Sequence, residues 1–174
     1  DAGYDKAKKA FEASMKRLQL DYLDLYLIHQ PFNDYYGAWR AMEELYKEGS
    51  IRSIGVSNFK PHHLEEIMEG ATVMPMVNQI EFHPGWTQTV NYCKAHHIAV
   101  QAWSPFGSGE LFRMPEISEM AKKYGKDPGQ LALRWIFQHG VIPLPKSVNP
   151  ERILSNTQIF DFEITPEDMA YIDS

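Results

Sequence analysis

Five short apolar runs in this sequence end in polar side chains, and those ends hold the residues whose types and spacing could do chemistry. They are His29, Ser57 with Asn58, Gln79 with Glu81 and His83 just beyond it, Ser104, and Lys146 with Ser147. A neutral imidazole at the end of an apolar run can donate a hydrogen bond to a carbonyl oxygen and orient it. His29, followed by Gln30-Pro31, is placed for that work, and a capping or packing histidine is the other reading of the same pattern. Lys146-Ser147 followed by Asn149-Pro-Glu-Arg152 combines two fixed cations with a helix start. Backbone N–H groups left unpaired at a helix start add a positive end, so the cluster reads as a local site for a phosphate. Arg152 can also stack on a flat ring. Trp103, within Gln101-Ala-Trp-Ser-Pro105, is either a core indole or a platform beneath a planar heterocycle.

The remaining candidates have plainer readings. His62, His63, His96 and His97 lie in helical patterns and His139 at a helix end, so solvated side chains are expected. Without paired carboxylates at ligand spacing they predict no metal site. Cys93 is the single cysteine, which rules out an intrachain disulfide and suits a reducing compartment.

Something must bring these ends together, and the elements between them supply it. Apolar or small residues recur at helical spacing over 4–18, 37–48, 61–69 and 87–97, and in two helices across 115–138. A further helix opens at Pro150-Glu151, and Thr165-Pro-Glu-Asp168 carries a capping signature for a short last one. Between them the runs 22–28, 51–56, 76–82, 99–104 and 141–145 read as strands, the first covered on both faces. Strands separated by helices pair in parallel through right-handed crossovers. The fold class is therefore α/β, either a (β/α)8 TIM barrel or a five-stranded doubly wound sheet. No Gly-x-Gly-x-x-Gly follows the first strand, which speaks against the second. A complete barrel needs ~250 residues, so the expectation is one domain over 1–174 that supplies about the last five βα units. In a barrel the reacting groups sit at the carboxyl ends of the strands, where the polar ends converge.

Composition narrows the function classes. The chain has 174 residues, 44% hydrophobic content and a net charge of −6. That balance argues against a general binder of nucleic acid or of anionic membranes. No apolar stretch approaches the roughly 20 residues that span a bilayer. A soluble, cytoplasmic protein acting on small molecules is expected.

Five strings together resemble the aldo-keto reductase family: Leu27-Ile-His-Gln-Pro31, Gly55-Val-Ser-Asn-Phe59, Asn78-Gln-Ile-Glu-Phe-His-Pro84, Ala102-Trp-Ser-Pro-Phe106 and Pro145-Lys-Ser-Val-Asn-Pro-Glu-Arg152. They stand in the family's order and spacing, and the similarity runs from Asp1 to Ser174. Gln30 and Asn33-Asp-Tyr-Tyr-Gly-Ala-Trp39 are most similar to its bacterial 2,5-diketogluconate reductase-like branch. The resemblance implies a TIM barrel that reduces aldehydes or ketones to alcohols with NADPH. It implies that His29 orients the carbonyl, that Ser57, Asn58 and Gln79 hold the nicotinamide carboxamide, and that Trp103 stacks on the nicotinamide. Ser104 and Phe106 would line the pyrophosphate side, Lys146, Ser147 and Arg152 would bind the 2′-phosphate, and Asn156 would lie near the adenine. Ser155 stands where many relatives carry a glutamate that contacts the adenine amine.

The family's catalytic aspartate, tyrosine and lysine belong to strands and loops before the region where this sequence starts, so His29 is the member of the set expected here. Tyr35 and Tyr36 follow His29 closely but read as a helix start, not as substitutes for the tyrosine. The opening Asp1-Ala-Gly-Tyr-Asp5, with no initiator methionine, reads like the middle of a longer chain. On that expectation the exposed edges of the first and last strands drive association. A nicotinamide-binding regulatory subunit, or an inactive truncated fragment of the same fold, are the alternative functions.

Overall fold

The helical repeats and apolar runs fold in alternation, in a computed structural model that describes residues 3–83 and 88–174. In chain order the elements are α1 (Tyr4–Leu18), β1 (Tyr26–Ile28), α2 (Tyr35–Lys47), β2 (Ile54–Ser57), α3 (Pro61–Gly70), β3 (Val77–Glu81) and α4 (Gln88–Ala95). There follow β4 (Ala99–Trp103), a 3-10 helix (Gly107–Arg113), α5 (Pro115–Lys123), α6 (Pro128–Gln138), β5 (Ile142–Pro143), α7 (Pro150–Ser155) and α8 (Pro166–Asp173). The chain divides into two compact units, Asp1–Gln79 with Tyr92–Ala99 and Ile80–Asn91 with Val100–Ser174.

In the first unit β1, β2 and β3 are neighbours in chain order. Their pairings are parallel, with Ile28 opposite Val56 and Ser57 opposite Gln79. Parallel pairing puts His29 and Ser57-Asn58, at the carboxyl ends of β1 and β2, on one side, with Ser57 level with Gln79 in the middle of β3. β2 is buried along its whole length, as a strand with neighbours on both edges should be. β1 is only half-buried, where its apolar run predicts a strand covered on both faces, and among the described strands it stands at the end of the order. It is also shorter than the run 22–28, because Leu23 reaches its neighbour only through an isolated bridge to Ile51. α2 begins two residues earlier than its periodicity predicts, since the Asp34 carboxylate caps it by accepting from the Gly37 N–H at 2.8 Å.

Gly55 explains how closely β2 and β3 approach. A Cβ on this residue would lie 2.4 Å from the Val77 carbonyl oxygen and 2.9 Å from a Leu27 methyl. A backbone oxygen cannot swing aside as a flexible side-chain tip can.

In the second unit β4 and β5 pair in parallel, with Ala102 opposite Pro143. β5 is shorter than 141–145 because Pro143 and Pro145 have no N–H to give the ladder. The loop after β4 winds into the 3-10 helix, with Ser108 and Gly109 at φ 55° and 93°. Thr87, expected in the fourth helix, lies outside the described residues. The core centres on Trp135, whose ring stacks on Phe82 at 4.9 Å and whose indole N–H donates to Asp173 Oδ1 at 2.9 Å. α8 is held by the buried Asp168 carboxylate, which takes Lys123 Nζ at 2.6 Å and the Tyr124 hydroxyl. Tyr124 in turn accepts from the Thr165 N–H at 3.0 Å.

Two outcomes are expected. Gly55→Ala should destabilise the fold by about 1–3 kcal/mol, the usual cost of forcing an atom into a close-packed place; a denaturant midpoint equal to wild type would contradict the close approach. The second concerns pH. The hydrogen bonds from Lys123 and then Tyr124 hold the Asp168 carboxyl below the usual carboxylate range. A depressed folded-state value contributes stability above the unfolded carboxylate pKa, and that stability is lost as pH falls through the folded value. Asp168→Asn should therefore melt several degrees below wild type at neutral pH, with the gap closing under strongly acidic conditions; a gap independent of pH would refute the assignment.

Candidate functional site

In the first unit the polar ends are tied to one another. The Gln79 carbonyl oxygen accepts from Ser57 Oγ at 2.8 Å and from the Asn58 N–H at 2.9 Å. Asn58 adopts the left-handed φ of 62°, and its Nδ2 lies 3.2 Å from Ser57 Oγ and 3.3 Å from the His29 carbonyl oxygen. A hydroxyl has one proton to give, and that of the buried Ser57 is engaged by Gln79, so toward a ligand Ser57 offers acceptor capacity only. His29 is exposed and lines a cavity of about 780 Å³ together with Lys6, Tyr26, Gln30 and Phe32. Lys6 reads from sequence as a surface residue of α1, and helical periodicity carries no signal that it would face the same space as His29.

Tyr35 and Tyr36, the first residues of α2, turn to α3. Their rings stack at 4.5 Å, and the Tyr35 hydroxyl donates to Glu66 Oε2 at 2.5 Å. Burial and then this carboxylate push the Tyr35 pKa well up, which makes it a poor proton donor. His63 is not the solvated residue that its pattern predicts: half-buried beside Phe59, it accepts from the Lys60 N–H at 3.2 Å through Nδ1. His139 also departs from expectation, packing on Trp135 with Nε2 3.0 Å from Asp173 Oδ1. The His63 ring is claimed by the residues just before it at the start of α3, and the His139 ring by Asp173, distant in sequence.

The second unit gathers most of the remaining candidates around one cavity of about 370 Å³, lined by Phe106, Lys146, Ser147, Arg152 and Asn156. Phe112, Asp127, Gly129 and Ser155 line it too, and apart from Ser155 the sequence reading passed over them. Phe106 and Phe112 pack at 5.3 Å between ring centres, and a Cβ at Gly129 would lie 3.6 Å from each ring, so the glycine leaves the space beside them open. The signal that could have found this wall is Asp127-Pro-Gly-Gln130, a capping box that fixes a helix start beside the cations. One of the N–H groups expected to be unpaired at the start of α7 is engaged within the protein. Asn149 caps α7, accepting from the Arg152 N–H at 3.1 Å through Oδ1, and its carbonyl takes the Ile153 N–H. Any anion here therefore meets the exposed Lys146 and Arg152 side chains and the Ser147 hydroxyl rather than a bare helix end.

Trp103 is half-buried at the end of β4. Ser104 forms a turn: with φ 49° it accepts from the Gly107 N–H at 2.9 Å through its carbonyl and from the Ser108 N–H at 3.3 Å through Oγ. Glu81 and His83 pair at 3.7 Å. Pro84, the last residue of its motif, lies outside the described residues. Among the described residues no three His, Cys, Asp or Glu side chains gather as a metal site, and no helix is long and apolar enough to cross a membrane.

Parallel strands separated by helices, with hydrogen-bonding groups toward their carboxyl ends, are the pattern of a βα fold, and in the second unit cations and aromatic rings line a cavity after β5. The model of the Aldo/keto reductase family matches residues 2–174, and the chain belongs to that family. It is 52% identical over 177 residues to the glyoxal reductase of Bacillus subtilis, covering 100% of this chain and 64% of that protein. To the methylglyoxal reductase DkgA of Escherichia coli O157:H7 it is 40% identical over 176 residues, covering 97% and 64% respectively. A Bombyx mori aldo-keto reductase solved in complex with NADP superposes with a TM-score of 0.90 at 36% identity, over 98% of this chain and 63% of that one. The chain thus spans somewhat less than two thirds of the length of these relatives, and within that span the TIM-barrel fold of the family is present.

Proposed function

We propose that the protein carrying this chain is an NADPH-dependent reductase of small aldehydes or ketones. The observation that carries the reading is the second unit's cavity, where Lys146, Ser147, Arg152 and Asn156 surround the space beside Phe106 and Gly129. Two cations, a hydroxyl and an amide beside aromatic rings suit a phosphorylated nucleotide, and they do so in a chain of net charge −6, where an anion needs a local site. Bound there, a reduced nicotinamide cofactor would supply hydride; the protein supplies orientation and electrostatics.

Lys146 and Arg152 hold the 2′-phosphate with Ser147, and Asn156 stands toward the adenine. Ser155, replacing an acidic residue, removes one adenine contact. Phe106 and Ser104 shape the pyrophosphate side, and Trp103 presents its ring to the nicotinamide. Asn58 and Gln79 address the carboxamide, with Ser57 holding the Gln79 backbone in place. His29 donates to the substrate oxygen and keeps it in line while charge develops on it. The family resemblance gives protonation of the forming alkoxide to a tyrosine assisted by a lysine and an aspartate, and it matches none of the three to a residue of this chain. Glyoxal and methylglyoxal, named for two relatives, set the expected substrate class as small carbonyls.

With the product of the complete gene, NADPH should bind more tightly than NADH, and Arg152→Ala should remove about tenfold of that preference, as expected for one charge-assisted contact. Equal affinities of wild type for the two cofactors, measured by fluorescence titration, would overturn the phosphate assignment. His29→Ala should lower turnover with a small aldehyde by about a hundredfold while leaving cofactor affinity nearly unchanged; unimpaired turnover would return His29 to a packing role.

A further inference from the structure

The backbone around His29 is poorly secured by the strand ladder. The register between β1 and β2 ends at Ile28 opposite Val56, one residue before the histidine. Beyond it Pro31 has no N–H to anchor, and the Phe32 N–H turns back to the Gln30 carbonyl at 2.9 Å. The contact that continues the pairing past the ladder is a side chain, Asn58 Nδ2 on the His29 carbonyl oxygen at 3.3 Å. Its direction is set by an uncommon backbone state, for at φ 62° Asn58 occupies the left-handed region that asparagine and glycine enter at least cost. The turn is fixed in its place by the two hydrogen bonds onto the Gln79 carbonyl, at 2.8 and 2.9 Å.

We propose that Asn58 is a positioning residue for His29, in addition to any contact it makes with cofactor: its amide fixes the His29 backbone, and through it the place of the imidazole. The proposal rests on the reading of His29 as the group that orients the substrate carbonyl. It assigns Asn58 a part in turnover that is separable from cofactor affinity, because the tie runs through the protein to His29.

The test is a double-mutant cycle in the product of the complete gene, with turnover read at saturating cofactor so that weaker cofactor binding does not enter. Asn58→Gly keeps the left-handed backbone and deletes the amide. Asn58→Asp keeps the shape and loses the N–H donors, and thermal unfolding reports whether each variant is folded. Each should lower kcat about tenfold alone and less than about twofold in a His29→Ala background, the non-additivity expected of residues that act as a unit. In ¹⁵N-labelled protein the ring resonances of His29 should shift or broaden in both variants. An equal loss in both backgrounds, or unchanged kcat in either folded variant, overturns the proposal. Normal turnover of His29→Ala alone would instead sink the underlying reading. The tie would then be judged by the His29 resonances, and unchanged signals would overturn it as well.

Discussion

One backbone oxygen, that of Gln79, holds the polar rim of the first unit together. It takes the Ser57 hydroxyl and the Asn58 N–H, and so joins the last residue of β2 and the turn after it to β3. In a parallel ladder the bonds are slanted and evenly spaced, so a second donor on one carbonyl needs the chain to leave the strand, which the left-handed Asn58 accomplishes. Two residues before Ser57, Gly55 lets β2 lie against the Val77 carbonyl. Without that approach Ser57 would not meet Gln79, and Asn58 would not reach back to His29. The order of residue types from Gly55 to Asn58 is therefore a single geometric device: close approach, then tether, then turn.

The second unit is positioned by helix caps instead of strand ends. Asp127 accepts from the Gln130 N–H at 2.9 Å, and Gln130 answers on the Asp127 N–H at 3.1 Å. The Gln130 amide also donates to the Ser155 and Gln158 carbonyls at 3.1 and 3.3 Å, so one buried side chain ties the start of α6 to the end of α7. That tie fixes the distance between two walls of the cavity, one bearing Gly129 and the other Arg152 and Asn156. The Asp127 carboxylate also lines this cavity, and its Oδ1 is engaged by the Gln130 N–H of its own helix.

The strand ends were legible from the sequence because apolar runs and their polar terminations have a period, and the capping signature at Thr165 was legible because it is local: Thr165 Oγ1 does accept from the Asp168 N–H. What escaped was set by partners distant in sequence. His139 is claimed by Asp173, Tyr35 by Glu66, and Gln130 by two carbonyls beyond residue 150. β1 proved shorter and less covered than its apolar run suggests, since a run of apolar residues says what is to be buried and not how many neighbours will bury it. The Asn149 cap was within reach of sequence reasoning, because asparagine before proline at a helix start is itself a capping pattern.

The Asn149 cap bears on how charge can work in the second cavity. With the Arg152 N–H taken by Asn149, the proposed phosphate would rest chiefly on the exposed side chains of Lys146 and Arg152, and exposed charges are screened over about 8 Å at physiological salt. The net negative charge of the chain is screened over the same distance, so it neither draws in nor repels a ligand from afar. Discrimination between a phosphorylated and an unphosphorylated ligand must then be made in contact, by hydrogen-bond geometry. A planar guanidinium provides that geometry where an ammonium provides only charge. On the proposed reading Arg152 is thus the cation whose shape, on the α7 turn that Asn149 caps, would distinguish one oxygen arrangement from another.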